Sequence, residues 1–156
     1  MLAITRKTEY ALFALTHLAH NPDNCQSANS IANVYGMRRP LLMNILKKLT
    51  HEQLACSIRG PRGGYRLAKP ANKIKLSDII KAIEGPIHLV QCANQPNMEV
   101  LREIMKKCEM SDCCIIRSPI HRVHDRLVEF LSTITLAEIS NDTACMNNNM
   151  PPDNNT

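Results

Sequence analysis

The string RGPRGG, residues 59–64, constrains this chain more than any other stretch. Glycines and a proline packed this closely are turn chemistry. Before the turn LACSI alternates apolar with polar residues, and after it YRLAK does the same. That is the pattern of a β-hairpin, here tipped with Arg59 and Arg62.

What precedes the hairpin fixes its meaning. SANSIANVYG reads as a short helix with Ser27 as N-cap and Gly36 where the helix stops. After a tight GM, a second helix runs from about Arg39 through PLLMNILKKLTHEQ, with Pro40 tolerated in its first turn. Two short helices about a glycine turn, the second opened by Arg38 and Arg39, form a helix-turn-helix pattern. With the basic hairpin added, the expected fold is a winged helix. Upstream, Ala11, Leu12, Leu15, Leu18 and Ala19 recur at helical spacing, and NPDNCQ follows as a loop. Glu9, Tyr10, Thr16 and His17 interrupt that first segment, so it reads as an amphipathic helix rather than a signal peptide. No run of about 18 apolar residues lacks a charge, which excludes a spanning helix and leads us to expect a cytoplasmic protein.

Downstream, KLSDIIKAIEG is a helix with Ser77 as expected N-cap and Gly85 as stop. The segment NMEVLREIMKK is amphipathic, with Val100, Leu101, Ile104 and Met105 on one side. Ser118 and Pro119 open the longest helix, striped by Ile120, Val123, Leu127, Phe130, Leu131 and Ile134. Such a helix either folds back on the first core or meets another subunit. The tail NDTACMNNNMPPDNNT is rich in Asn and poor in apolar residues, and is expected to be disordered. The organisation expected is a winged helix-turn-helix DNA-binding domain over 1–85, a cysteine-bearing cluster region over 86–117, a dimerisation helix over 118–139 and an Asn-rich tail over 140–156. The fold class is mainly α with a small β-wing. Aromatics make up only 3% of the chain and Trp is absent, so the core must rest on aliphatic side chains, which suits helices.

Charge is unevenly spread. Residues 1–85 hold 13 Lys and Arg against 5 Asp and Glu, while residues 86–156 hold 6 against 9. A basic first half is either a solvated face or the footprint of an anionic partner. On the second helix of the pair, Arg38, Arg39, Asn44, Lys47 and Lys48 are the expected DNA-contacting residues, with Leu41, Leu42, Ile45, Leu46 and Leu49 turned to the core. Asn reads a base edge, and Arg or Lys reaches guanine or phosphate. Arg59 and Arg62 on the wing suit a minor groove or its flanking phosphates.

Of seven cysteines, Cys108, Cys113 and Cys114 lie within seven positions. In a reducing compartment such clustering points to metal ligands or redox thiols rather than a disulfide scaffold. Iron–sulfur, zinc and a thiol switch are all open on this ground. A closed zinc site is disfavoured because paired CxxC motifs are missing. Cys25, in a loop, Cys56, expected at an inward strand position, and Cys145, in the tail, are not expected to be ligands. No phosphate loop, nucleophile elbow or zincin helix is present, so an enzyme is not expected.

The strings TRKTEYALFALTHLA, RGPRGGYRLAKP, LSDIIKAIEG and VEFLSTITLAEI, in this order, resemble the family of iron-sulfur winged-helix regulators that includes the repressors IscR, NsrR and RirA. The resemblance implies a homodimer bound to double-stranded operator DNA. It also implies a cluster, [2Fe-2S] or [4Fe-4S], held by three cysteines between the winged domain and the dimer helix. By the family's spacing these are Cys92, Cys108 and Cys114, with Cys113 as the neighbouring alternative. Two departures stand out. Cys92 and Cys108 are 16 residues apart, with a helix inserted where the family has a short loop. The position that carries a ligating His in IscR-like members is Arg117, which cannot ligate. Other members use an acid on the partner's first helix, a position that here is Glu9; His88 and His121 are the alternatives to it. The function implied is a repressor that senses iron, redox state or nitric oxide.

Overall fold

The structure, a computed structural model, describes residues 4–61, 63–90, 92, 97–108 and 114–141. Arg62, Cys113, Cys145 and the tail beyond 141 lie outside the described residues. Helix α1 (Arg6–His20) crosses the middle of the core, and Ala11, Ala14, Leu15 and Leu18 are all fully buried. Helices α2 (Ala28–Tyr35) and α3 (Arg39–His51) form the helix-turn-helix. Ser27 Oγ accepts the Ser30 N–H at 3.0 Å, satisfying one of the donors a helix start leaves open. Gly36 takes a left-handed φ of 61°, and the Met37 N–H returns to the Ala32 carbonyl at 2.9 Å, closing the helix as expected. On α3, Leu42, Ile45, Leu46 and Leu49 are buried. Leu41, expected in the core, is only half-buried at its edge.

The hairpin pairs β1 (Ala55–Ile58) with β2 (Gly64–Leu67) antiparallel, Ala55 opposite Leu67 and Ile58 opposite Gly64. Gly63 is obligatory: a Cβ there would lie 2.2 Å from the Ile58 carbonyl oxygen. Gly64 is equally constrained, because Gln26 lays its backbone along Tyr65 and a Cβ on Gly64 would meet the Gln26 carbonyl oxygen at 2.6 Å. The wing is thereby tied by hydrogen bonds to the segment that starts α2. The register corrects one expectation. Ala55 is the inward residue, 1% exposed, so strand alternation turns Cys56 and its partner Arg66 to the outer face.

Helix α4 (Leu76–Glu84) starts earlier than Ser77 predicted. Lys75 takes the N-cap position because the chain from 134 to 136 pairs with it: Leu76 N–H donates to the Ile134 carbonyl at 2.9 Å, and Leu136 N–H to the Ile74 carbonyl at 2.8 Å. The helix expected over 118–139 is two helices, α6 (Arg117–Thr133) and α7 (Leu136–Asn141). Thr135 and Glu138 cap α7 reciprocally, Thr135 N–H to Glu138 Oε2 at 2.9 Å and Glu138 N–H to Thr135 Oγ1 at 3.2 Å. Leu136 is fully buried in the winged-helix core, so the chain after α6 returns to the first domain. Between α4 and α6, α5 (Met98–Lys107) is capped by the Asn97 side chain and has no buried residue.

Candidate nucleic-acid interface and cysteine cavity

The buried row of α3 decides what its other side can present. With Leu42, Ile45, Leu46 and Leu49 facing the core, Asn44 and Lys47 are exposed, as are Arg38 and Arg39 at the start of the helix. Arg59 is exposed near the wing tip. These groups stand on α3 and the wing, and the pairing of Gln26 with Tyr65 ties the wing to the segment that leads into α2. Beneath α2, His17 is buried against Tyr35 and its Nε2 lies 3.3 Å from Gln26 Oε1; burial lowers its pKa. Lys48 is placed differently from the expectation. Its Nζ donates to the Ile83 carbonyl at 2.8 Å, so this cation bonds the last turn of α4 rather than extending toward a duplex.

The end of α4 is a junction. Thr5 and Thr8 hydroxyls both donate to Glu84 Oε1, Thr8 at 2.6 Å, and these hydrogen bonds hold the Glu84 carboxyl below its ordinary pKa. Gly85 follows at a φ of 90°, a turn most side chains resist, and sends the chain toward Cys92. The next residues are held on α6: His88 stacks on the buried His124 with ring centres 6.3 Å apart, and Leu89 N–H points to His124 Nδ1 at 3.4 Å.

Three of the residues expected as ligands line the same cavity. Cys92, Cys108 and Cys114, from three separate segments, line a single cavity of about 450 Å³ whose other walls include Val90, Ile104, Met105, Ile116 and Ile120. Cys92 and Cys114 are half-buried and Cys108 is exposed. The inserted helix α5 therefore supplies a wall of this cavity through Ile104 and Met105, which spacing alone did not reveal. Arg117 also lines it, and its guanidinium donates to Met105 Sδ at 3.2 Å. Glu9 is not on the wall; within the protomer it pairs with Arg6 at 3.3 Å. His121 keeps a buried Nε2 without a hydrogen-bond partner among the described residues. Among those residues no three Cys, His, Asp or Glu side chains stand close enough together to hold a metal ion. The chemistry of the wall nonetheless fits an iron–sulfur group, since soft thiolates in an apolar surround are its usual ligands.

A helix-turn-helix joined to a basic two-stranded wing, with a cysteine-lined cavity beside the helix beyond it, defines a winged-helix DNA-binding regulator of transcription. Residues 4–142 match the profile of the Rrf2 family, described as an iron-dependent transcriptional regulator, and the chain belongs to that family. Three solved structures show the same architecture. CymR of B. subtilis, described as its global cysteine regulator, is 28% identical with a TM-score of 0.68, the match covering 90% of this chain and 98% of that one. IscR of T. potens is 27% identical with a TM-score of 0.66, covering 90% and 88%. CymR of Staphylococcus aureus is 25% identical with a TM-score of 0.61, covering 87% and 96%. No helix among the described residues is long and apolar enough to cross a membrane.

Proposed function

We propose that this chain is a cytoplasmic, homodimeric repressor whose α3 and wing bind operator DNA and whose cysteine cavity holds an iron–sulfur cluster. The observation that carries the reading is the convergence of Cys92, Cys108 and Cys114 on one apolar cavity beside α6. In this reading residues 1–85 are the reading head, 86–117 the cluster region, 118–139 the dimerisation segment and 140–156 a tail. Arg39, Asn44 and Lys47 face the major groove, Arg38 and the wing arginines Arg59 and Arg62 hold phosphates or the minor groove, and Lys48 braces α3 on α4. Cys92, Cys108 and Cys114 are the ligands, with Cys113 able to replace Cys114, and Glu9 of the partner subunit the fourth.

A cluster bound there supplies a link, [2Fe-2S] or [4Fe-4S], that iron shortage, oxidant or nitric oxide removes. The chain turns that into a signal because Cys92 follows the α4 junction and Cys114 precedes α6. Tying them fixes the angle between each reading head and the dimer helix. Two heads must sit roughly 34 Å apart to enter successive major grooves, so a change of angle alters affinity without touching a base contact.

A second reading keeps the DNA interface and omits the cluster, leaving a thiol redox switch or control by a protein partner. It is favoured by Arg117 at the fourth-ligand position and by the likeness to the two CymR structures. Anaerobic purification separates the two. Visible thiolate-to-iron absorption with matching iron and sulfide supports the cluster; a colourless, iron-free dimer that still binds operator DNA supports the switch.

A further inference from the structure

Helix α5 buries none of its residues, yet its sequence is strongly two-sided. One side carries Glu99, Arg102, Glu103 and Lys106, all exposed, with Lys106 Nζ 3.0 Å from Glu103 Oε1. The other side carries Leu101, Ile104 and Met105, all half-buried. An amphipathic helix turns its apolar side to something. Here Ile104 and Met105 line the cysteine cavity of about 450 Å³, which Ile116 and Ile120 of α6 also line. Met105 is fastened to α6 as well, because the Arg117 guanidinium donates to its Sδ at 3.2 Å. The helix thus puts a polar surface outward and an apolar wall beside the thiols.

That wall bears on what reaches Cys92 and Cys114, which are half-buried. A charge entering an apolar cavity gives up hydration that the wall cannot replace, whereas a small uncharged molecule gives up little. Lys107 and Arg117 stand on the same cavity, and their charges repel cations and attract anions. Exclusion of both signs is therefore the mark of the apolar wall. Exclusion of cations alone is the mark of the basic pair.

We propose that α5, through Ile104 and Met105, restricts the thiols of this cavity to small uncharged reactants. The inference rests on the proposed function and names the class of signal that the site admits. A dissolved gas or a neutral peroxide enters, and ionic oxidants and chelators are held off. Cys108 is exposed at the end of α5, so the discrimination falls on Cys92 and Cys114.

The test uses the full chain, kept anaerobic and freed of metal, so that it reads the wall and not a group held by the thiols. The reagents are the trimethylammonioethyl methanethiosulfonate cation, its uncharged tert-butyl isostere with carbon in place of nitrogen, and the sulfonatoethyl anion. Rates at each cysteine are mapped by mass spectrometry in folded protein and in denaturant, which supplies the intrinsic ratios. Relative to those ratios, both charged reagents should react about tenfold more slowly than the isostere at Cys92 and Cys114. At Cys25 and Cys56, outside the cavity, the ratios should stay within about threefold of the denatured ones. Ile104→Ser with Met105→Ser should erase the deficit, and Ile104→Leu with Met105→Leu should keep it. Circular dichroism should show both pairs folded, since α5 buries nothing. Iron content is measured separately on protein as isolated, so the cluster reading stands or falls by a different result. No deficit at Cys92 and Cys114, a deficit for the cation alone, or one that survives the serine pair would each overturn the proposal.

Discussion

The winged domain and the segment that follows it are built on opposite terms. From α1 to α4 the apolar side chains close on one another, and Leu15, Leu18, Leu42, Leu46, Leu49 and Ile79 are fully or almost fully buried. From α5 to α6 the sequence is just as amphipathic, yet α5 buries nothing and α6 buries only His124. Val123 is 53% exposed and Phe130 61% exposed, seven residues apart on one side of α6. The difference separates two jobs. The first region holds its shape from its own sequence, whereas the second leaves apolar side chains exposed and gathers its cysteines on an open cavity.

Stability should divide along the same line. Leu46→Ala removes a fully buried side chain between α3 and the core and should cost about 2–5 kcal/mol. Val100→Ala, on the 43% exposed face of α5, should change stability by about 0.5 kcal/mol or less. Urea denaturation of both variants checks this, and equal losses would mean the second region is packed within the protomer after all. Association should show the reverse pattern. Phe130→Asp leaves the protomer core intact but places a charge in the exposed α6 face, and should weaken self-association by about 2 kcal/mol or more, about thirtyfold. Sedimentation of the folded variant as an unchanged dimer would remove α6 from the interface.

Smaller effects sharpen the picture inside the reading head. Lys47→Ala should weaken binding to all DNA sequences alike and reduce the slope of log affinity against log salt by about one. Lys48→Ala should reduce it less, because its ammonium is tethered to the Ile83 carbonyl at the end of α4. The Glu84 junction should appear as a pH dependence. Its native carboxyl is held low by the Thr5 and Thr8 hydroxyls, so the native state binds fewer protons than the unfolded chain through the acid range. The stabilisation is present above the ordinary carboxylate range and is lost as pH falls through the native value. Thr8→Val should thus be less stable than wild type near pH 7, with the gap narrowing near pH 3.

The elements that sequence predicted well are those fixed by local chemistry. Ser27 and Gly36 bound α2 because a side-chain oxygen and a left-handed glycine act within one turn. The wing was legible because Gly63 and Gly64 leave no room for a Cβ. Ser77 misled because the start of α4 is set by Ile134, far along the chain. The division of 118–139 did carry a signal, the Thr135 and Glu138 capping box, but it follows directly on the apolar stripe that ends at Ile134 and is masked by it. Cys56 faces outward because pairing with β2 sets which strand face meets the core. The direction of Lys48 was beyond sequence, since a lysine stem reaches either way from a helix surface. The family resemblance named Cys92, Cys108 and Cys114, but the wall that α5 adds between them appears only once the chain is folded.

In the proposed function the cavity cysteines, and not the wing cysteines, hold the cluster. Iron and acid-labile sulfide should be counted per protomer in anaerobically prepared Cys92→Ala, Cys108→Ala and Cys114→Ala proteins beside Cys25→Ala and Cys56→Ala. Iron and sulfide should fall away in each of the first three and stay at the wild-type level in the last two. Full iron and sulfide in Cys108→Ala and Cys114→Ala, or their loss in Cys56→Ala, would contradict it.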